Sequence, residues 1–154
     1  LATIAVNPLA CVDCGFTYFF NPTVAAGAFI SDEQGKMLFV RRAKDPAKGL
    51  LGVPGGFIDV GESAEEALRR EVREEVNLEI VQIRFVCSCP NYYHYRDVTY
   101  PVCDLMFAAV AINPHTAQAL DGVDAFEWHH PASVSDIELA FPSIRMARGM
   151  LVNE

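Results

Sequence analysis

The sequence predicts a single α/β domain of the α+β kind, in which a mixed sheet is covered by helices. Two observations carry this prediction. Strand-like and helix-like segments follow one another in the order strands, helix, strands, helix, which suits a sheet with helices laid against it. The chain also has 154 residues, 51% of them hydrophobic, enough to build one packed core.

Residues 23–30 form a short apolar run rich in Val, Ala and Phe; residues 31–36 carry turn chemistry, and the apolar pattern resumes over 37–42. This spacing predicts a hairpin. Residues 43–53 read as a surface loop, and Pro54, Gly55 and Gly56 as punctuation before a short strand at Phe57, Ile58 and Asp59. A helix starts near Ser63. Residues 80–89 and 102–112 are strand-like and expected to pair, with a polar, tyrosine-rich segment turning the chain between them. Residues 113–122 read as a loop, 125–129 as a last short strand, and 143–151 as a C-terminal helix with apolar Ile144, Met146, Ala147, Met150 and Leu151.

Composition narrows the function. The formal charge of -8 argues against a broad nucleic-acid surface, which needs clustered Lys and Arg. No stretch reaches the roughly 18 apolar residues of a membrane span, and the start has no basic segment followed by an apolar run, so a cytoplasmic location is expected. The five cysteines are an odd number without a secretory signal, which argues against a disulfide framework. Cys87, Cys89 and Cys103 are expected to pack as small apolar side chains. Cys11 and Cys14 have ligand-like spacing, yet structural zinc wants four ligands and no second such pair occurs in the sequence. His94, His115, His129 and His130 are too scattered to form a ligand set.

The helix over 63–76 is the informative element. Ser63 and Glu66 fit a capping box, and Asn77 can take the left-handed conformation that ends a helix. At about 100° per residue, Ala64, Ala67, Leu68 and Val72 share an apolar face, and Glu71 and Glu75 fall in the same arc with Glu74 at its edge. Carboxylates at these spacings repel by roughly 0.2–0.5 kcal/mol per pair on a surface, and more when turned inward. A hard divalent cation answers that repulsion; a solvated acidic face paired with Arg69, Arg70 and Arg73 is the other reading.

Gly56, Glu62, Arg70, Glu71, Val72, Glu74, Glu75 and Leu78 stand where the Nudix box, G-x5-E-x7-R-E-U-x-E-E-x-G-U with U aliphatic, requires them; Asn77 holds the final glycine slot. The chain thus resembles the Nudix hydrolases, and the order of its elements is similar to their α/β/α sandwich over residues 22–154. The resemblance implies cleavage of a diphosphate linkage in a nucleoside diphosphate derivative with Mg²⁺ or Mn²⁺. By position, it implies that Glu71, Glu74, Glu75 and the Gly56 carbonyl hold the metal, with Arg70 and Glu62 orienting the carboxylates. Glu74 and Glu75 are the catalytic candidates; Glu74 is favoured as base, with Asp121 and Asp124 as alternatives.

Arg41 and Arg42 stand where similar proteins place a phosphate contact, though a pair of surface cations fits equally. Tyr92 and Tyr93 lie where the family keeps substrate-selecting residues and could stack on a nucleobase; cross-strand packing is the other reading. Residues 1–21, with Cys11, Cys14 and Gly15, look like the second half of the zinc ribbon of NADH pyrophosphatases, and Zn²⁺ would need a further pair of ligands upstream. After the box only Ser88 and Pro90 agree with that subgroup's S-Q-P-W-P-F-P-x-S. The expected partner is a small nucleotide, with neither nucleic acid nor membrane, and the resemblance leaves room for a homodimer. The competing class is a non-catalytic nucleotide-binding sensor of the same fold.

Overall fold

The computed structural model describes residues 7–152. Its strands are β1 (Leu9–Ala10), β2 (Thr17–Tyr18), β3 (Thr23–Ser31), β4 (Met37–Arg42), β5 (Leu51–Gly52), β6 (Gly55–Phe57), β7 (Glu79–Tyr95), β8 (Val98–Ile112) and β9 (Val123–His129); its helices are α1 (Ala64–Val76) and α2 (Pro142–Val152). The strand β3 runs parallel to β8 from Thr23↔Val102 to Ser31↔Val110, β8 pairs antiparallel with β7, and β4 pairs with β9 and β5.

The predicted hairpin of β3 and β4 exists only at its turn, where Ser31 faces Met37. Beyond it the strands diverge, because each has a longer partner elsewhere, and that splay opens the sheet into two leaves. The strand predicted at Phe57, Ile58 and Asp59 begins two residues earlier: Gly55 and Gly56 pair with Gly27 and Ala26. Glycines that read as punctuation are ladder residues here. The tyrosine-rich segment is likewise strand, not turn; β7 and β8 form one long hairpin reversed at Arg96 and Asp97.

Alternation along the strands divides the core between the two helices. Ala28, Ile30, Leu38, Val40, Phe107 and Ala109 bury against α1 through Leu68, Val72 and Val76. Their intervening neighbours Phe29, Phe39 and Met106 bury against α2 through Ile144 and Ala147. This is the α/β/α sandwich. Cys87 and Cys89 are buried in the α2 layer, with Cys89 Sγ 3.3 Å from Met146 Sδ; Cys103 is half-buried. Met146 and Met150 are each about half exposed.

Helix α1 has the ends its sequence requires. Ser63 Oγ accepts from Glu66 N, the Glu66 carboxylate accepts from Ser63 N, and Asn77 closes the helix at φ 54°. The loop after β8 then donates Gln118 N to Val76 O, Leu120 N to Glu75 O and Asp121 N to Glu74 O. These bonds satisfy the carbonyls a helix end leaves open. Because only the left-handed cap is at stake, Asn77→Ala is expected to lower stability by about 1–2 kcal/mol and Asn77→Gly to leave it nearly unchanged. Equal urea midpoints for the two variants would refute this.

Cys11 and Cys14 sit in the turn between β1 and β2, where Cys11 N donates to Phe16 O and Gly15 N to Cys11 O. Hydrogen bonds from the backbones of Cys14 and Asp13 lower the Cys11 thiol pKa. Among the described residues, however, no third His, Cys, Asp or Glu joins them as a ligand. Zinc at this turn is therefore unsupported: two thiols fall short of the four ligands a structural site needs.

Candidate active site

The splay between the leaves leaves a cavity of about 420 Å³, walled by β3, β6, one face of the β7–β8 hairpin, the start of α2 and the carboxylate side of α1. This size suits a small-molecule site. Glu71 and Glu75 line it, one helical turn apart. Gly55 N donates to Glu75 Oε2 at 3.0 Å, and burial pushes the Glu75 carboxyl up to about 8 against the pull of that bond. Burial also raises the Glu71 pKa, opposed by Arg70.

Gly56 is present for steric reasons. A Cβ there would lie 2.4 Å from Glu71 Oε1 and 2.5 Å from its Cδ, so only a glycine lets the β6 backbone and this carboxylate come so close.

Arg70 ties the acidic groups together. Its Nε and Nη2 grip Glu62 at 2.8 and 2.9 Å, Nη1 reaches Glu71 Oε1 at 2.8 Å and Glu74 Oε2 at 3.2 Å, and Nη2 also donates to Phe57 O. The bidentate grip of Arg70 holds Glu62 down to about 2 and raises the Arg70 pKa further. Arg70 thus fixes the loop before α1 to the helix and orients Glu71.

Not every sequence-derived candidate reaches the cavity. Glu74 is half-exposed beside Arg70 and lies outside the lining, as do Asp121, which pairs with Lys44 at the surface, and exposed Asp124. Arg41 and Arg42 separate, because adjacent strand residues point to opposite faces. Arg42 lines the cavity, its guanidinium 4.9 Å from the Phe141 ring centroid and its Nε on Pro46 O. Arg41 turns away, paired with Glu127 and donating to Gly49 O. Alternation also splits the tyrosines. Tyr93 lines the cavity edge-on to Phe57 at 5.5 Å, whereas Tyr92 is exposed on the other face.

The structure adds residues that the sequence reading missed. Lys44 lines the mouth beside Arg42; Asn91 and Asp104 line the hairpin wall, and Ser143 enters from α2. One signal was legible: Asp104 interrupts an apolar strand, an expensive place for a carboxylate. Ser143 had none.

The arrangement offers hard oxygen donors at one wall and cations at the mouth. Mg²⁺ is usually held by one or two carboxylates together with substrate phosphates, and Glu71 and Glu75 fit that demand. Among the described residues no group of three carboxylate, imidazole or thiol side chains converges as a ready ligand set.

Comparisons with known proteins agree with this architecture. Residues 21–148 match the NUDIX domain model. The chain is 38% identical over 63 residues to an ADP-ribose pyrophosphatase of Methanocaldococcus jannaschii, covering 41% of this chain and 37% of that protein. It is 34% identical over 85 residues to a mitochondrial NAD(P)H pyrophosphatase of Homo sapiens, covering 55% and 24%. The matches thus span well under half the length of these relatives. A MutT NUDIX hydrolase from Burkholderia pseudomallei superposes with a TM-score of 0.72 at 24% identity, covering 86% of this chain and 99% of that one. The NUDIX domain of Shewanella oneidensis NrtR, complexed with ADP ribose, does so at 0.70 and 24%, covering 88% and 91%. A family match that begins just before β3 and ends within α2, over a fold that brings the box glycine against Glu71, establishes that this chain belongs to the Nudix family.

Proposed function

We propose that this chain hydrolyses the diphosphate linkage of a nucleoside diphosphate derivative with the help of a divalent cation. The observation that carries the reading is the convergence of Glu71 and Glu75 on one wall of a cavity whose mouth bears Arg42 and Lys44. The relatives named for ADP-ribose and NAD(P)H support the substrate class. Glu71 and Glu75 would hold Mg²⁺ or Mn²⁺, which supplies charge neutralisation at the diphosphate and acidifies water.

The protein's own groups do the rest. Arg42 and Lys44 draw the phosphates to the mouth. Glu75, inside the cavity where Glu74 is not, is the better placed carboxylate to take a proton from the attacking water. Arg70 holds Glu71 in place from behind. The tyrosine and phenylalanine wall receives the nucleoside.

The test is product analysis with a panel of ADP-ribose, NADH, dinucleoside polyphosphates and nucleoside triphosphates, with Mg²⁺ and then with EDTA. Release of a nucleoside monophosphate, abolished by EDTA, is expected. Nucleotide binding without turnover would replace the enzyme by a nucleotide-binding domain. On the same assay Arg42→Ala is expected to lower kcat/KM by about 10–100-fold, the loss of a charge-assisted bond worth roughly 1.5–3 kcal/mol. Arg41→Ala should change it by less than about twofold, since Arg41 pairs with Glu127 outside the cavity; equal losses would return both arginines to the site.

A further inference from the structure

At the end of the cavity formed by the hairpin and α2, three polar side chains are built into an otherwise apolar wall. Asn91 is 7% exposed and Ser143 1% exposed, and both line the cavity with Asp104. Asn91 is held at both ends of its amide: its Nδ2 donates to Asp104 Oδ2 at 2.9 Å and its Oδ1 accepts from Tyr92 N at 2.9 Å. Asp104 is thereby held at one oxygen. Ser143 Oγ is buried without a well-formed hydrogen bond, although it lies close enough to the Asp104 carboxylate to favour its ionised form against the burial that raises its pKa. A buried hydroxyl left in this way costs about 1–3 kcal/mol, and Ser143 is one of the residues that line the cavity. Around this cluster stand Tyr93 and Phe141, rings 6.1 Å apart and tilted by 35°, with Met106 and Ile144.

We propose that Asp104 and Ser143 read the edge of a planar nucleobase that carries an exocyclic amine next to a ring nitrogen, as adenine and cytosine do. The Asp104 oxygen that Asn91 does not bind accepts from the amine, and Ser143 Oγ turns from the carboxylate to donate to the ring nitrogen, so one acceptor and one donor meet their complements. Asn91 is a positioning residue that keeps the carboxylate turned inward. The flanking rings and aliphatic groups suit a flat base; a ribose, polar around its rim, would leave hydroxyls against Met106 and Ile144. This deepens the proposed function by naming the nucleoside end that the pocket selects, and a site that pairs such groups rejects an analogue lacking them more strongly than an apolar pocket can.

The experiment is calorimetric titration with adenosine, inosine, cytidine, uridine and 2′-deoxyadenosine in the absence of divalent cation. It reads the base subsite without hydrolysis, so failure of the enzyme reading leaves it interpretable. Adenosine is expected to bind at least tenfold more tightly than inosine, in which a carbonyl replaces the amine; a matching preference for cytidine over uridine would extend the site to pyrimidines. Asp104→Asn and, separately, Ser143→Ala should each reduce the adenosine preference to within about threefold while inosine binding changes little. Equal affinity for adenosine and inosine, no binding of either, or a loss confined to 2′-deoxyadenosine would overturn the proposal, the last by placing the ribose there.

Discussion

Glu75→Gln is expected to cut kcat in Mg²⁺ by about 10²–10⁴-fold, the range of a lost catalytic carboxylate, and at the same time to make the metal-free protein more heat-stable at alkaline pH. Both effects have one cause. The carboxyl is desolvated inside the cavity and faces the Glu71 charge, and these push it up to about 8 against the pull of the Gly55 N–H and the Arg42 charge. A carboxyl raised above its unfolded value contributes stability that is fully present below the unfolded pKa of about 4.3 and is lost as pH rises through the folded value. In EDTA the parent should therefore lose Tm progressively between about pH 5 and 8, on the order of several degrees for a chain of this size. The glutamine variant should lack that slope. Parallel Tm profiles would show that Glu75 is not a strained group, and an active variant would remove it from the chemistry.

Gly56→Ala is the second large effect. The added methyl carbon would meet all three terminal atoms of the Glu71 carboxyl within 2.8 Å. The carboxylate must leave that position, and with it goes the 2.8 Å contact to Arg70 Nη1. A stability loss of about 1–3 kcal/mol follows from overpacking, together with a fall in kcat of roughly 10²-fold, the scale of a misplaced group at a reacting centre. Gly61→Ala is the control: its φ is +93° but nothing lies within 4 Å of an added Cβ. It should cost about 1–2 kcal/mol for the left-handed backbone and leave kcat unchanged. If Gly56→Ala retained full activity, Glu71 would not need its position.

The legible parts of the molecule were those specified locally. Helix α1 could be placed from Ser63, Glu66 and Asn77, because caps are written within a few residues of the ends they serve. The acidic arc could be read from helical period alone. Strand β6 could not, since Gly55 lies against the backbone of β3 and Gly56 against the Glu71 carboxyl, neighbours that no local pattern supplies. The splay of β3 and β4 was hidden for the same reason: their partners β8 and β9 lie far along the chain. Arg41 and Arg42 could have been separated by strand alternation, which allows only one of two neighbours to face a cavity. The Asn91, Asp104 and Ser143 cluster joins β7, β8 and α2, and no local pattern announces a group assembled from three elements.

The long hairpin also has a mechanical property. Its first strand carries two register irregularities, between Val81 and Arg84 and between Phe85 and Cys87, with Gln82 at φ 51°. Each inserts one extra residue relative to β8, and both precede the stretch that walls the cavity. They act as slack in the strand. A residue lost or gained there can be absorbed by erasing or enlarging a bulge, so the inward and outward assignments of Asn91, Tyr92, Tyr93 and Tyr95 survive. The half of the hairpin that belongs to the core and the half that walls the cavity are thereby insulated from each other's length changes, and a lineage can revise one without rewriting the other.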